Sequence, residues 1–257
     1  MFDAIILAGG GKEEPLTLQE GVANKVFIDL FGRPMLRYIL DALDGAVSVG
    51  KVIVVGPEEE LAGLLEQGSH FTPVPEEGGM LENVAAGLRA ADQQRLSLIL
   101  TGDIPLLSPE IIEEFIKRCA PYTGDFYYPI LSQESCTKRF PQMKRTYVPL
   151  REGSFTGGNI ALLRPRWFAR SRHRLDQFIA YRKKPLKLFR LLPVGFIFKF
   201  IFRRLTVNDL ESYLSEMFQA RAHAVPCDLV EIGTDVDKIS DLEVVRKELQ
   251  RQKGPQS

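Results

Sequence analysis

Apolar positions in the first half of the chain come in two rhythms, short continuous runs and helically spaced stripes. The runs Asp3–Leu7, Lys51–Val55 and Leu96–Leu100 read as buried strands, the second stopped by Gly56 and Pro57. Leu36, Ile39, Leu40 and Leu43 recur at helical spacing and predict a helix over Met35–Leu43. Glu58–Glu66 predicts a second, its acidic first turn suiting the positive end of the helix dipole, and Leu81–Ala91 a third. Ser108 is placed to cap a fourth, with Pro109 in its first turn and Ile111, Ile112, Phe115 and Ile116 facing inward. Strands alternating with helices predict a mostly parallel sheet covered on both faces. Ligands of such sheets bind at the carboxyl ends of strands, where the Gly9 turn and Asp103 both fall.

The first run ends in three glycines, Gly9, Gly10 and Gly11. Glycine lets unshielded N–H groups converge on an anion, and Lys25 adds a positive charge on a flexible stem, so a phosphate site is one reading. An ordinary strand-to-loop turn is the other. Neither a Walker A pattern nor GxGxxG is present. Asp103 follows the third run in Leu98-Ile-Leu-Thr-Gly-Asp-Ile-Pro105, on a backbone stiffened by Pro105. A carboxylate there suits a hard divalent cation, which takes a few acids plus substrate phosphates. It equally suits capping of the turn toward the Ser108 helix.

Composition narrows the classes. The chain has 257 residues, 45% hydrophobic and 26% charged, with net charge +0, an ordinary globular balance that argues against coating nucleic acid. Cys119, Cys136 and Cys227 form no CxxC pair, so neither a disulfide framework nor a zinc site is expected, and a reducing, cytoplasmic setting is. No basic segment precedes a long apolar one at the N-terminus, which disfavours a secretory signal.

Five stretches go together: LAGGG at Leu7–Gly11, NKVFIDLFGRPMLRYILDAL at Asn24–Leu43, LTGDIPLLSP at Leu100–Pro109, Gly157-Gly-Asn159 ahead of an apolar strand, and EIGTDVDKISDL at Glu231–Leu242. In this order they resemble the MobA-like NTP transferases, the superfamily of molybdenum-cofactor guanylyltransferases and sugar-phosphate nucleotidyltransferases. The resemblance implies a glycosyltransferase-A-like (nucleotide-diphospho-sugar transferase) α/β three-layer sandwich. It would form a single domain over 1–251, with a basic, aromatic-rich helical insert at about 164–205 and a frayed tail at 252–257. It implies that Leu7, Ala8, Gly9, Gly10, Gly11 and Lys12 cradle the nucleotide together with Gly102. Lys25 would neutralise the phosphates, and Gly79 and Asn83 would lie near base and ribose. Asp103 and Asp235 would hold Mg2+, making Lys25 and Asp103 the catalytic pair, and Gly157, Gly158 and Asn159 would face the acceptor. Asn83 as a helix-start residue and Gly158 as a turn residue are the plainer readings.

The implied reaction moves a nucleotidyl group from an NTP, GTP or CTP first, to a phosphorylated small-molecule acceptor, with release of pyrophosphate. A phosphate oxygen is already an adequate nucleophile, so positioning and charge neutralisation suffice. His70, His173 and His223 accordingly fall outside every motif. One departure stands out: the family carries a basic residue after the glycines, whereas this chain reads Gly11-Lys12-Glu13-Glu14-Pro15. Carboxylates near phosphates would weaken NTP binding. A non-catalytic nucleotide-binding member is therefore an alternative, as is a glycosyltransferase using a nucleotide-sugar, although its mid-chain DxD is missing. The sequence leaves a homo-oligomer open.

From Arg164 to Arg204 thirteen Lys or Arg residues face one acid, Asp176. The apolar stretch Leu186–Leu205 within it is interrupted by Pro193, Gly195 and Lys199 and is too short and charged to span a bilayer. One reading is a pair of short helices covering the acceptor pocket. The other is a surface for an anionic membrane, giving a cytoplasmic protein peripheral at the inner membrane face. Nucleic acid is disfavoured, since no binding module accompanies the patch. Beyond it, Thr206-Val-Asn-Asp209 predicts a capping box, Ala222–Val230 a strand, and Ser240-Asp-Leu-Glu243 the cap of the terminal helix.

Overall fold

The computed structural model describes residues 1–10, 14–66, 68, 70–182 and 193–253. Gly11, Lys12, Glu13, part of the 164–205 insert and residues 254–257 of the tail lie outside them. The first four strands are β1 (Phe2–Leu7), β2 (Val49–Gly56), β3 (Thr72–Pro75) and β4 (Ser97–Thr101), and they run parallel in the order β3-β2-β1-β4. Then come β5 (Phe126–Ser132), β6 (Val148–Leu150), β7 (Gly153–Gly157), β8 (Ile160–Leu163) and β9 (Ala222–Cys227). β8 lies antiparallel between β4 and the first half of β5, β7 pairs with the second half of β5, and β9 adds parallel to β5. β6 pairs antiparallel with β7, so among the described residues seven strands, β1–β6 and β9, share one direction, as the alternation of runs and stripes predicts.

Helices cover both faces because neighbouring strand residues point opposite ways. Ala4 and Ile6 of β1 pack with Leu36, Ile39 and Leu43 of α2 (Met35–Asp44) and with Ile112, Phe115 and Ile116 of α5 (Pro109–Arg118). Ile5 points the other way, toward Leu81, Val84 and Leu88 of α4 (Met80–Ala90). There Gly87 admits the strand: a Cβ at this position would stand 2.3 Å from Ile5 Cγ2. Trp167 and Phe168 of α7 (Pro165–Arg182) and Phe218 of α9 (Val207–Phe218) complete this layer, and the Trp167 indole donates to the Phe218 carbonyl at 3.2 Å. A third cluster joins Leu16 of α1 (Pro15–Glu20), Cys136 of α6 (Gln133–Arg139) and Val245 of α10 (Ile239–Lys253). Glu58–Glu66 forms α3, and α8 (Val194–Ile201) lies within the insert.

Ser108 caps α5 through Ile111 N–H, and Thr206 with Asp209 forms the capping box of α9. Two boundaries need correction. The strand expected over Ala222–Val230 ends at Cys227, because its partner β5 stops pairing at Leu131 and a 3-10 turn over Val230–Gly233 follows. The terminal helix begins at Ile239 rather than after Ser240, since Asp241 reaches back to accept from the Lys238 N–H at 3.0 Å. The three cysteines are buried free thiols, and burial pushes Cys119 up to about 12, which leaves it unreactive at neutral pH.

Candidate active site

The carboxyl ends of β1 and β4 open into a cleft of about 370 Å³, lined by Leu7, Gly9, Gly10, Glu14, Lys25, Gly79, Asn83, Gly102 and Asp103 among others. Each wall has a local cause. Gly10 takes φ +90, a left-handed conformation that glycine adopts without strain, and lines the cleft. Gly9 must be small, since a Cβ there would meet Glu76 Oε2 at 2.4 Å and Asn83 Nδ2 at 2.7 Å. Gly102 lies against Leu7, donating its N–H to that carbonyl at 2.9 Å, with Val26 Cγ1 2.8 Å from where its Cβ would be.

Asn24 sets the position of Lys25. Its buried side chain accepts from Val26 N–H at 3.1 Å and donates to the Ala8 carbonyl at 2.6 Å, tying the 3-10 turn Lys25–Phe27 to the glycine loop. Asn83 does the same for the opposite wall, accepting the Glu77 N–H at 2.8 Å while buried at the first turn of α4. Ala8 is buried beneath the loop and outside the cleft lining. The Gly10 N–H donates to Glu76 Oε2 at 2.9 Å, so a carboxylate already satisfies the amide of this cleft-lining glycine. Glu76 carried no sequence signal, because it lies in an exposed loop after β3.

At the cleft mouth Lys25 Nζ lies 2.7 Å from Asp103 Oδ2 and also pairs with Asp237 Oδ1. Thr101 Oγ1 donates to Asp103 Oδ1. Asp103, Asp235 and Asp237 offer carboxylate oxygens that all lie within 4.8 Å of one another. Asp237 is the residue that sequence reasoning missed, although the alternation Asp235-Val-Asp237 around the fully buried Val236 puts both acids on one side of an extended turn. Burial, then the neighbouring Asp103 and Asp237 charges, push Asp235 up to about 6. For Lys25, burial works against its charge, but Asp103 and Asp237 outweigh it and hold the ammonium well above the usual lysine range. Burial would likewise raise Asp237, yet Lys25 brings it below the ordinary carboxylate value. Lys25 is therefore a fixed positive charge, not a base.

Gly157, Gly158 and Asn159 link β7 to β8 beside this cluster, outside the lining of the cleft. Gly158 is buried, and a Cβ there would meet Ile232 Cγ2 at 2.7 Å and Pro129 Cγ at 3.0 Å, so it serves close packing. The Asn159 N–H donates to the Ile232 carbonyl at 2.8 Å, fastening this linker to the turn that carries Asp235. Arg145 joins the same corner, donating to the Gly233 carbonyl and to Thr234 Oγ1 at 2.9 Å.

The chain matches the sequence model of the MobA-like NTP transferase domain over residues 4–185, a stretch that holds Lys25 and Asp103 and stops short of Asp235. It is similar to a solved structure described as a hypothetical transferase from Thermus thermophilus, at 35% identity, a TM-score of 0.82, and coverage of 94% of this chain and 99% of that one. The bifunctional protein GlmU of Desulfotalea psychrophila is 30% identical over 118 residues, 45% of this chain and 34% of that protein. The 2-C-methyl-D-erythritol 4-phosphate cytidylyltransferase of Clostridium novyi is 32% identical over 106 residues, 38% of this chain and 46% of that protein. The chain thus spans less than half the length of these curated relatives. The fold is that of the nucleotide-diphospho-sugar transferases, α/β with a mostly parallel central sheet.

Proposed function

The chain belongs to the MobA-like NTP transferase domain family, and from that membership we propose that it transfers a nucleotidyl group from GTP or CTP to the phosphate of a small-molecule acceptor, releasing pyrophosphate. The observation that carries this reading is the meeting of Asp103, Asp235 and Asp237 around Lys25 at the mouth of a glycine-walled cleft. Three carboxylates with mutual spacing under 4.8 Å form an all-oxygen donor set that fits Mg2+. Asp103 and Asp235 would hold it, with Asp237 as the third donor. When bound, the cation supplies positive charge to the phosphate oxygens.

The remaining work falls to the chain itself. The Gly10 N–H points where a phosphate oxygen is accepted once Glu76 gives way. Lys25 keeps its proton and offers only charge to the oxygens around the α-phosphorus. Asn24 and Asn83 keep the two walls at fixed spacing, so the triphosphate is positioned before the acceptor arrives. Arg145, which meets Gly233 close to the Gly157 carbonyl, would offer a cation to the acceptor phosphate.

Two observations support the cytidylyl or guanylyl choice only coarsely: the partial likeness to a cytidylyltransferase and the family itself. A second reading, nucleotide binding without transfer, rests on the Glu76 carboxylate already seated on Gly10. Pyrophosphate release from each of the four NTPs with Mg2+ and a panel of phosphorylated sugars and polyols tests both. Release with one base, lost in Asp103→Asn, upholds transfer. Binding without release upholds the second reading, and transfer from a nucleotide-sugar overturns both.

A further inference from the structure

We propose that the outer face of α8 is a docking surface for an anionic lipid bilayer. The helix is divided lengthwise. Phe196, Ile197 and Phe200 are half-buried, with the Phe196 ring 5.0 Å from that of Tyr213 in α9. Phe198, Ile201 and Phe202 point the other way and are 56%, 63% and 66% exposed, the two phenylalanine rings stacked with centroids 6.4 Å apart. Three large apolar side chains gathered on one turn of helix are not the scattered exposure common on monomers.

The rim of this patch is cationic. Arg151, Arg203 and Arg204 are exposed, and among the described residues none pairs with an acid. They line a recess of about 670 Å³ with Thr206, Lys199 and Asp209. The acids near it are engaged: Asp209 takes Lys199 at 2.6 Å and caps α9, and Glu152 accepts from the Val207 N–H at 3.3 Å. Arg203 ends α8 at φ +53, a position usually filled by glycine, in a paired turn where the Arg203 N–H donates to the Phe200 carbonyl at 3.0 Å and the Arg204 N–H to that of Lys199 at 2.7 Å. The turn places two adjacent cations directly after the residues of the apolar face.

Aromatic side chains bordered by guanidinium groups match a bilayer boundary, where the rings enter the headgroup layer and the cations meet anionic headgroups. A second copy fits less well, since a twofold contact through this face would set Arg203 and Arg204 against their own counterparts. No helix among the described residues is long and apolar enough to cross a membrane, so the contact is one of surface docking. The Arg151 N–H donates to the Leu205 carbonyl at 2.8 Å, joining the patch to the turn before β7, which runs from Gly153 to Gly157 over about 14 Å.

Sedimentation of the full chain with phosphatidylcholine vesicles, and with vesicles of phosphatidylcholine and phosphatidylglycerol in equal parts, tests the proposal without any nucleotide and so independently of catalysis. The expected result is about tenfold more protein bound to the anionic vesicles, declining as salt rises. The paired substitutions Phe198→Ser with Phe202→Ser, and Arg203→Glu with Arg204→Glu, should each remove most of that binding while the melting temperature holds. Equal partition into both vesicle types, partition into neither, or anionic binding indifferent to both pairs overturns it. So does a concentration-dependent dimer that Phe202→Ser dissolves, which would assign the face to a second copy.

Discussion

The backbone N–H of Val236 donates to the carbonyl oxygen of Asp103 at 3.0 Å, pinning the turn that carries Asp235 and Asp237 to the end of β4. One main-chain bond thereby brings together carboxylates 132 and 134 positions apart in the chain. It does so without using either side chain, which leaves Asp103 and Asp237 free to share Lys25.

If that cluster is the centre of the reaction, Asp103→Asn removes a donor oxygen's charge while keeping its shape. Pyrophosphate release should fall by about a hundredfold or more, and calorimetric affinity for Mn2+ should fall with it. An unchanged rate would remove Asp103 from the machinery.

Lys25→Met acts on the fold as well as on catalysis. Asp103 is 8% exposed and would face Asp235 and Asp237 with no counter-charge. We expect a loss of about 2 kcal/mol, read by calorimetry as a fall of about 4–8 °C in Tm. Mg2+ should return part of it, because the three acids still form an oxygen cluster.

Glu76→Gln withdraws the negative charge seated on the Gly10 amide. NTP affinity, measured by titration calorimetry at low salt, should rise about threefold to tenfold as like-charge repulsion is relieved. Weaker binding would instead make Glu76 a ligand-contacting group.

Glu248 ties α10 to α6. It is 8% exposed, receives Arg139 at 2.6 Å and Arg251 at 2.9 Å, and the Arg139 hydrogen bond lowers its carboxyl below the ordinary 4.5. A carboxyl depressed in the fold contributes stability above its unfolded value and loses it as pH falls through the folded one. Glu248→Gln should therefore cost about 1 kcal/mol at neutral pH, and chemical denaturation curves of variant and parent should converge as pH falls from the ordinary 4.5 through the depressed folded value.

Much of this was legible in the chain because the N-terminal half obeys local rules. β1, α2, α3 and α5 are announced by runs, stripes and caps that need no distant partner. β5 was not, since Pro129 interrupts Tyr127-Tyr-Pro-Ile130 and its strand character depends on β8, β7 and β9 meeting it from elsewhere. Asp103 and Asp235 could be paired by resemblance, whereas Asp237 needed the geometry of an extended turn about Val236. Glu76 and Asn24 are ordinary polar residues in sequence, and only the folded loops reveal that one meets an amide and the other spaces Lys25 from the glycines.

The topology also sets when the cluster can exist. β1, β4 and Lys25 all lie within the first 101 residues, but the turn with Asp235 and Asp237 follows β9, the last strand in chain order. A chain ending before residue 235 would carry only Asp103 of the three carboxylates. The acidic cluster is thus completed only by the stretch that follows β9.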